Sequence, residues 1–163
     1  MRTSILTAAA LGALAVLPSA AAAAPPQCRT ADLSAKVGNV QPGAGQRVAT
    51  LSLRNTSGHT CRTGGYVGLQ LETSSGRDLP TSTDRVGGPA RTVTLRPGQR
   101  AVSTLQWTVI ATGDEPANGP CEGTPSDLLV IPPNQTTQTG TPWRNGPVCD
   151  HGTFTITPLK KAR

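Results

Sequence analysis

Residues 101–109 read AVSTLQWTV, the longest stretch of the chain in which apolar and polar side chains alternate. Alternation places Leu105 and Trp107 on one face of this segment, with Thr104 and Gln106 on the other. A period of two is typical of a β-strand with one face against a core, whereas an amphipathic helix has a period of 3.6. We therefore expect a half-buried strand here, with Trp107 in the hydrophobic core.

The same period recurs in short segments along the chain, separated by clusters of Gly, Pro, Asn and Ser that predict turns. Strands are predicted at residues 32–37, 49–54, 67–72, 92–95, 128–131, 136–141 and 153–157. Residues 111–126 are predicted to be a loop, and residues 78–80 an edge segment, since Pro80 cannot donate to a ladder. Seven to nine short strands predict an all-β fold, an antiparallel immunoglobulin-like β-sandwich.

The N-terminal residues have the composition of an export signal. Arg2 precedes an apolar run at residues 5–17, which is too short to span a bilayer, and small residues with A-x-A spacing follow. We expect a signal peptide over residues 1–23 and one domain over residues 24–163 that ends in a short basic tail. Cys28 follows Pro-Pro-Gln, which is not the context of a lipidated cysteine. The protein is therefore expected to be secreted and extracellular, without a membrane span.

All four cysteines fall in the predicted mature part: Cys28, Cys61, Cys121 and Cys149. An even number in an exported chain, without C-x-x-C spacing, predicts disulfides in preference to a metal site. The hairpin predicted to turn at residues 43–44 brings Cys28 close to Cys61. The hairpin predicted to turn at the later Pro-Pro-Asn segment brings Cys121 close to Cys149. We therefore expect two disulfides, each joining the ends of one hairpin.

Candidate catalytic and metal-ligating groups are few. His59 and His151 each fall in a turn beside a cysteine, and we expect both to be exposed loop residues. Asp114, Glu115 and Glu122 form an acidic loop with too few carboxylates, interrupted by prolines, for a calcium site, so solvated charges are expected. No nucleophile, base and orienting group occur in a recognisable pattern. The sequence predicts no catalytic residue, no cofactor and no metal site.

The chain is basic, with 15 Lys and Arg against 9 Asp and Glu and a net charge of +6. Its arginines are dispersed along the sequence, and only Lys160, Lys161 and Arg163 cluster. Aromatic residues make up 2%, too few for the mixed basic and aromatic surface of a nucleic-acid-binding module. Trp143 is the one aromatic residue in a predicted loop, either exposed or packed against Cys149. The charge indicates weak attraction to anionic polymers such as those of cell walls.

Five short motifs occur in order along the chain. They are CRTADL at 28–33, LRNTSG at 53–58, GYVGLQL at 65–71, LRPGQ at 95–99 and PVCD at 147–150. As an ordered set they resemble the secreted actinobacterial family called domain of unknown function 4232, over residues 28 to about 159. The excess of Arg over Lys, 12 to 3, is typical of a GC-rich genome. The resemblance implies export and a β-sandwich, and it transfers no catalytic residue.

Two functional hypotheses follow from these observations. The first is a secreted, monomeric, non-catalytic β-sandwich that binds an unknown protein or an anionic cell-wall polymer, at the cell envelope or in the medium. The alternative is a secreted protease inhibitor that presents a disulfide-braced loop, at residues 111–126 or 141–151. Neither hypothesis includes a nucleic acid as partner.

Overall fold

A computed structural model describes residues 23–162. The predicted signal peptide lies outside the described residues except for Ala23, and so does Arg163. Within the described part, no helix has the length and apolar character needed to cross a membrane. Its strands are β1 (Leu33–Val37), β2 (Gln41–Pro42), β3 (Gln46–Asn55), β4 (Cys61–Thr63), β5 (Gly68–Glu72), β6 (Ser82–Arg85), β7 (Val93–Leu95), β8 (Arg100–Thr108), β9 (Asp127–Ile131), β10 (Thr139–Pro142), β11 (Thr153–Ile156) and β12 (Lys160–Lys161). A 3-10 turn (Thr30–Asp32) and one helical turn (Cys149–Gly152) complete the described elements.

The strands form three sheets that share one hydrophobic core, which confirms the predicted all-β sandwich. The large sheet has the order β1-β3-β8-β11-β6, with β2 paired to β3 and β12 paired to β8. The two smaller sheets have the orders β10-β9-β5 and β4-β7. Leu53, Leu71 and Leu95, one from each sheet, are fully buried members of the same cluster. Burial of this shared apolar surface is the main force that holds the sheets together.

The period of two in residues 101–109 is realised in β8. Leu105 is fully buried and Trp107 is 2% exposed, whereas Gln106 between them is exposed. Trp107 packs against Trp143 and Phe154, with ring centroids 5.0 and 6.0 Å away. Trp143 is therefore also a core residue, and its indole N–H donates to the Gly146 carbonyl oxygen at 2.8 Å. Of the two positions open to Trp143, the buried one is correct.

Five features differ from the predicted strand map. The short strands β2 and β4 were not predicted. β6 was not predicted, and it pairs with β11 in parallel, whereas the other strand pairs of the described residues are antiparallel. β10 starts at Thr139, three positions after the predicted start at residue 136. The predicted basic tail is not free, because Lys160–Lys161 pair with β8 as an edge strand. These segments are short or polar, so backbone pairing with a neighbour forms them without an apolar alternation that a sequence pattern would reveal.

Both predicted cysteine pairs form disulfides in the structure, Cys28–Cys61 and Cys121–Cys149. The β1–β3 pairing ends at Leu33 opposite Asn55. Beyond it, Gln27 forms a parallel bridge with Arg62, and the Cys28 N–H donates to the Arg62 carbonyl oxygen at 2.8 Å. The β9–β10 pairing ends at Asp127 opposite Pro142, and beyond it Cys121 lies in a loop and Cys149 in the helical turn. Both predicted pairs are therefore confirmed, but neither hairpin extends as far as its cysteines, so the expected continuation of the antiparallel registers is wrong.

Candidate functional site

Four cations lie on the outer face of the large sheet, on four neighbouring strands. Lys36 is on β1, Arg54 on β3, Arg100 on β8 and Lys160 on β12, and all four are exposed. They point outward because the residues before or after them along each strand point into the core, as the burial of Leu53 next to Arg54 illustrates. We call this set of four residues the cation face.

The strand registers bring these cations into two adjacent rows. Arg54 is directly opposite Arg100 in the β3–β8 pair. In the next row, Lys36 is opposite Ser52, which is opposite Val102, and Val102 is in turn opposite Lys160. Three of the cations, together with the hydroxyl groups of Ser34, Thr50 and Ser52, line a shallow concavity of about 480 Å³.

Nothing on these strands neutralises the cation face. β1, β3, β8 and β12 contain no Asp or Glu, and none of the ion pairs among residues 23–162 involves its four residues. Like charges directly opposite each other in a sheet destabilise it. The Arg54–Arg100 pair therefore costs the fold stability and leaves a concave, positive surface that an anion would stabilise.

The arginines are dispersed over different strands, as the sequence predicts, but two of them meet on this face. Arg54 and Arg100 are far apart in sequence, and the pairing of β3 with β8 makes them neighbours. The outward direction of both side chains could be predicted from the sequence. Arg54 falls at an outward position of the predicted strand at residues 49–54, and Arg100 directly precedes the predicted strand at residues 101–109. The sequence does not show which strands are neighbours in the sheet.

The acidic loop is only partly solvated, so the expectation of free loop charges is wrong for Glu115. Asp114 is exposed, but Glu115 is only 8% exposed. The Glu115 carboxylate accepts backbone N–H bonds from Thr112 at 2.7 Å, Asp150 at 3.0 Å and His151 at 2.8 Å. Burial alone would raise the pKa of Glu115, but these backbone donors lower it to about 2. Glu115 is thus an anchor for the loop that ends at the Cys121–Cys149 disulfide.

His151 lies between two carboxylates of the same loop. Its Nε2 is 3.2 Å from Asp114 Oδ1, and its Nδ1 is 3.3 Å from Glu122 Oε1. Desolvation alone would lower the pKa of His151, but the negative charges of Asp114, Glu115 and Glu122 raise it above its usual value. Since each ring nitrogen faces its own carboxylate, the charged imidazolium can donate to both.

Glu115, Glu122 and His151 each place one potential metal-ligating atom within 4.8 Å of the others. The Glu115 oxygens already accept three backbone N–H bonds and a bond from the Thr112 hydroxyl. The two histidine nitrogens face different carboxylates, whereas a metal ion would use only one of them. The donor set therefore suits a network of ion pairs better than a metal centre.

His59, the other histidine, also contacts a carboxylate beside a disulfide. Its Nε2 is 3.7 Å from Asp32 Oδ2, and Asp32 is a buried residue that also pairs with Arg29 at 3.6 Å. The His59 side chain is 46% exposed, so its predicted surface position agrees with the structure. Each of the two disulfides thus has one histidine–carboxylate pair next to it.

Comparison with known proteins gives one match. A search of curated proteins and a search of solved structures each give no significant match. A family model described as "Domain of unknown function (DUF4232)" matches residues 28–160, which is most of the chain and includes both disulfides and the whole cation face. This agrees with the resemblance carried by the ordered motifs. The chain therefore belongs to the DUF4232 family.

Proposed function

We propose that the protein is an exported, non-catalytic binding module that holds a linear polyanion on its cation face. The observation that carries this proposal is the directly opposed Arg54–Arg100 pair, with no carboxylate on the strands around it. A fold that keeps such a repulsive pair gains nothing in stability from it. A bound anion would attract both guanidinium groups and offset their repulsion, which supports a binding role for the pair.

The spacing of the cations favours a chain of anions over a single small one. From Lys36 on β1 to Lys160 on β12 there are three strand spacings, which is about 14 Å at ~4.8 Å each. One phosphate or carboxylate group can contact only neighbouring cations within this distance. A polymer with repeated phosphate groups, such as an anionic cell-wall polymer, can contact all of them.

Export and a non-catalytic role have independent support. Two disulfides are typical of an oxidising, extracellular compartment. Within residues 23–162, the ring nitrogens of His59 and His151 face carboxylates, and no Ser, Thr or Tyr hydroxyl donates to them. A nucleophile activated by histidine requires such a contact. Binding is therefore the role that this arrangement supports best.

The proposal is tested by binding to long-chain inorganic polyphosphate, and to isolated cell walls, across salt concentrations from about 0.05 to 0.3 M. We expect binding to weaken steeply as salt rises, because each phosphate contact releases counterions. The R54Q/R100Q double variant should bind polyphosphate at least tenfold more weakly. The slope of log affinity against log salt should become shallower by about two, one for each phosphate contact that is lost.

The matched control is R77Q/R144Q, which removes two exposed arginines outside the cation face and changes the net charge equally. It should bind polyphosphate almost as well as the unmodified protein does. Equal losses in both double variants would mean that net charge alone attracts the polymer, and the proposal would be wrong. Binding that does not depend on salt would also contradict it.

The protease-inhibitor hypothesis has one observation in its favour. The loop that includes residues 116–120 is held at both ends by buried groups, Glu115 at 8% and Cys121 at 7% exposure. A loop held in this way loses little entropy on entering a protease cleft. Nanomolar inhibition of secreted serine proteases, abolished by substitutions within residues 116–120, would favour this function over polyanion binding.

A further inference from the structure

A second concavity lies between residues 87–94, which include the first two residues of β7, and residues 157–161, which include β12. Its volume is about 520 Å³, and we call it the β7 groove. Its apolar wall residues are Pro89, Val93, Pro158 and Leu159. Val93 and Leu159 are buried and belong to the hydrophobic core, so the floor of the groove is continuous with the packed interior.

The charged residues of the β7 groove are all cations. Arg91, Lys160 and Lys161 line it, and no Asp or Glu does. In the part of the chain that the structure describes, no ion pair involves any of the three. The groove therefore combines an apolar floor with an unneutralised positive rim, which suits a ligand that carries both apolar and acidic groups.

The backbone of β7 offers hydrogen-bonding groups to the groove. Arg62 on β4 lies opposite Thr94, but the Arg62 N–H donates to the Pro26 carbonyl and the Arg62 carbonyl accepts from the Cys28 N–H. Opposite residues in an antiparallel pair either exchange both hydrogen bonds or direct both groups away from each other. The N–H and C=O of Thr94 therefore point away from β4, on the side where Thr94 lines the groove.

No other strand takes up this edge. β7 pairs only with β4 among the described strands, and no further backbone hydrogen bond among residues 23–162 involves Thr94. Thr94 is also exposed. The edge of β7 is therefore a free donor and acceptor pair beside an apolar floor.

Both walls of the groove are held in place before any ligand binds. The Leu159 N–H donates to the Gly65 carbonyl oxygen at 2.8 Å, and the Val86 N–H donates to the Ile156 carbonyl oxygen at 2.9 Å. The absence of a side chain at Gly64 also lets residues 64 and 91 lie close together, because a Cβ at Gly64 would lie 2.3 Å from the Arg91 carbonyl oxygen. A preformed groove costs little ordering entropy on binding.

We propose that the β7 groove binds an acidic peptide segment in extended conformation, which adds a strand to the free edge of β7. Its backbone would bond to the N–H and C=O of Thr94. Because successive side chains of a strand point to opposite sides, apolar residues would contact Val93 and Leu159 while alternate acidic residues face Arg91 and Lys161.

The backbone edge distinguishes this ligand from a polyanion. A phosphate polymer carries acceptors that suit the cations, but it has no donor for the Thr94 carbonyl. A peptide supplies one donor and one acceptor per residue at the spacing of a strand. This site is therefore separate from the cation face, although Lys160 lies at the border of both.

The probe is a heptapeptide of alternating Glu and Val, blocked at both ends, titrated into the ¹⁵N-labelled protein and followed by NMR. We expect the largest shift changes at Thr94 and its neighbours, and slower hydrogen exchange at the Thr94 amide once the peptide is bound. N-methylation of alternate peptide nitrogens removes the donors and should weaken binding at least tenfold. The Gln-Val peptide should lose the charge contacts and bind about tenfold more weakly.

Two variants test the groove itself. Thr94→Pro removes the free N–H at an edge position where proline is tolerated, and it should abolish the binding. R91E/K161E should weaken binding of the Glu-Val peptide about tenfold, whereas R54Q/R100Q should leave it nearly unchanged. Near-ultraviolet circular dichroism checks that each variant keeps its fold.

Three results would overturn the proposal. They are equal affinity for the N-methylated peptide, loss of binding in R54Q/R100Q with retention in R91E/K161E, and absence of any shift at millimolar peptide. The first would show that the peptide binds by charge without backbone hydrogen bonds, and the second would show that it binds by charge at the cation face. Since polyphosphate binding is measured separately, failure of the groove leaves the proposal for the cation face standing.

Discussion

Glu115 holds together a segment whose backbone is otherwise unfavourable. Asp150 and His151 have φ values of 60° and 51°, in the left-handed region that residues with a Cβ rarely occupy. This conformation directs the N–H groups of both residues at the Glu115 carboxylate. Successive backbone N–H groups arranged in this way bind anions, and here the anion is a side chain of the same protein.

Glu115→Gln should lower the free energy of unfolding by about 1–3 kcal/mol near pH 6, because an amide NH₂ cannot accept from the backbone N–H groups that face it. The pKa of Glu115 is lowered from 4.5 to about 2, so its contribution is complete above pH 4.5 and is lost as pH falls toward 2. The difference between variant and unmodified protein should therefore shrink over this range. Urea unfolding at a series of pH values measures it.

Asp84→Asn is the matched control, since Asp84 is exposed and takes part in none of the ion pairs of the described residues. Its free energy of unfolding should follow the unmodified protein at every pH. A Glu115→Gln effect that is the same at pH 6 and pH 2.5 would show that the carboxylate charge does not stabilise the turn.

At the scale of secondary-structure elements, the β3–β8 pair is the centre of the large sheet. It is the longest pairing of the described residues, from Gln46 opposite Thr108 to Arg54 opposite Arg100. Its inner face supplies core residues such as Leu51 and Leu105, and its outer face carries the two opposed arginines. The same register therefore produces both the stable core and the repulsive surface.

Arg100→Glu replaces this repulsion with a cross-strand ion pair to Arg54. We expect the free energy of unfolding to rise by about 0.2–1 kcal/mol, while polyphosphate binding weakens. Urea unfolding and the binding assay on the same preparation measure the two effects. The control is Gln106→Glu, which adds a carboxylate to the same strand opposite Val48 instead of a cation. A loss of stability in Arg100→Glu larger than in this control would contradict the assigned register.

On the scale of the whole molecule, each of the two disulfides joins segments that are far apart in sequence. Cys28–Cys61 links the segment before β1 to β4, and Cys121–Cys149 links the long loop to the turn that Glu115 anchors. The bonded cysteines are 33 and 28 residues apart in sequence. Closure of loops of this length restricts the unfolded chain substantially.

Removal of either bridge by a double Cys→Ser substitution should lower the free energy of unfolding by about 3–4 kcal/mol. Urea unfolding of the C28S/C61S and C121S/C149S proteins measures this, and the intact mass of the unmodified protein should be four hydrogens below that of the reduced chain. Free thiols that alkylate without prior reduction would contradict the two-disulfide structure. If both double variants unfold like the unmodified protein, the loop-entropy account is wrong.

Local pattern was sufficient for much of this fold. Alternation along residues 101–109 and its counterparts places Leu53, Leu105 and Trp107 in the core, because side-chain direction in a strand depends only on position along that strand. The same regularity sets the registers of β1–β3 and β9–β10, and the two cysteine pairs lie beyond the ends of these hairpins. These features need only a strand, a turn and the next strand.

The tertiary structure alone decided which distant strands became neighbours. The pairing of β3 with β8 creates the cation face, that of β6 with β11 introduces a parallel pair, and the approach of residues 150–151 buries Glu115. Each depends on contacts between segments far apart in sequence, chosen by how the whole apolar surface is buried at once. No local pattern encodes that choice, and so the sequence predicted the sandwich while the positions of the cation face and the β7 groove followed from the packing.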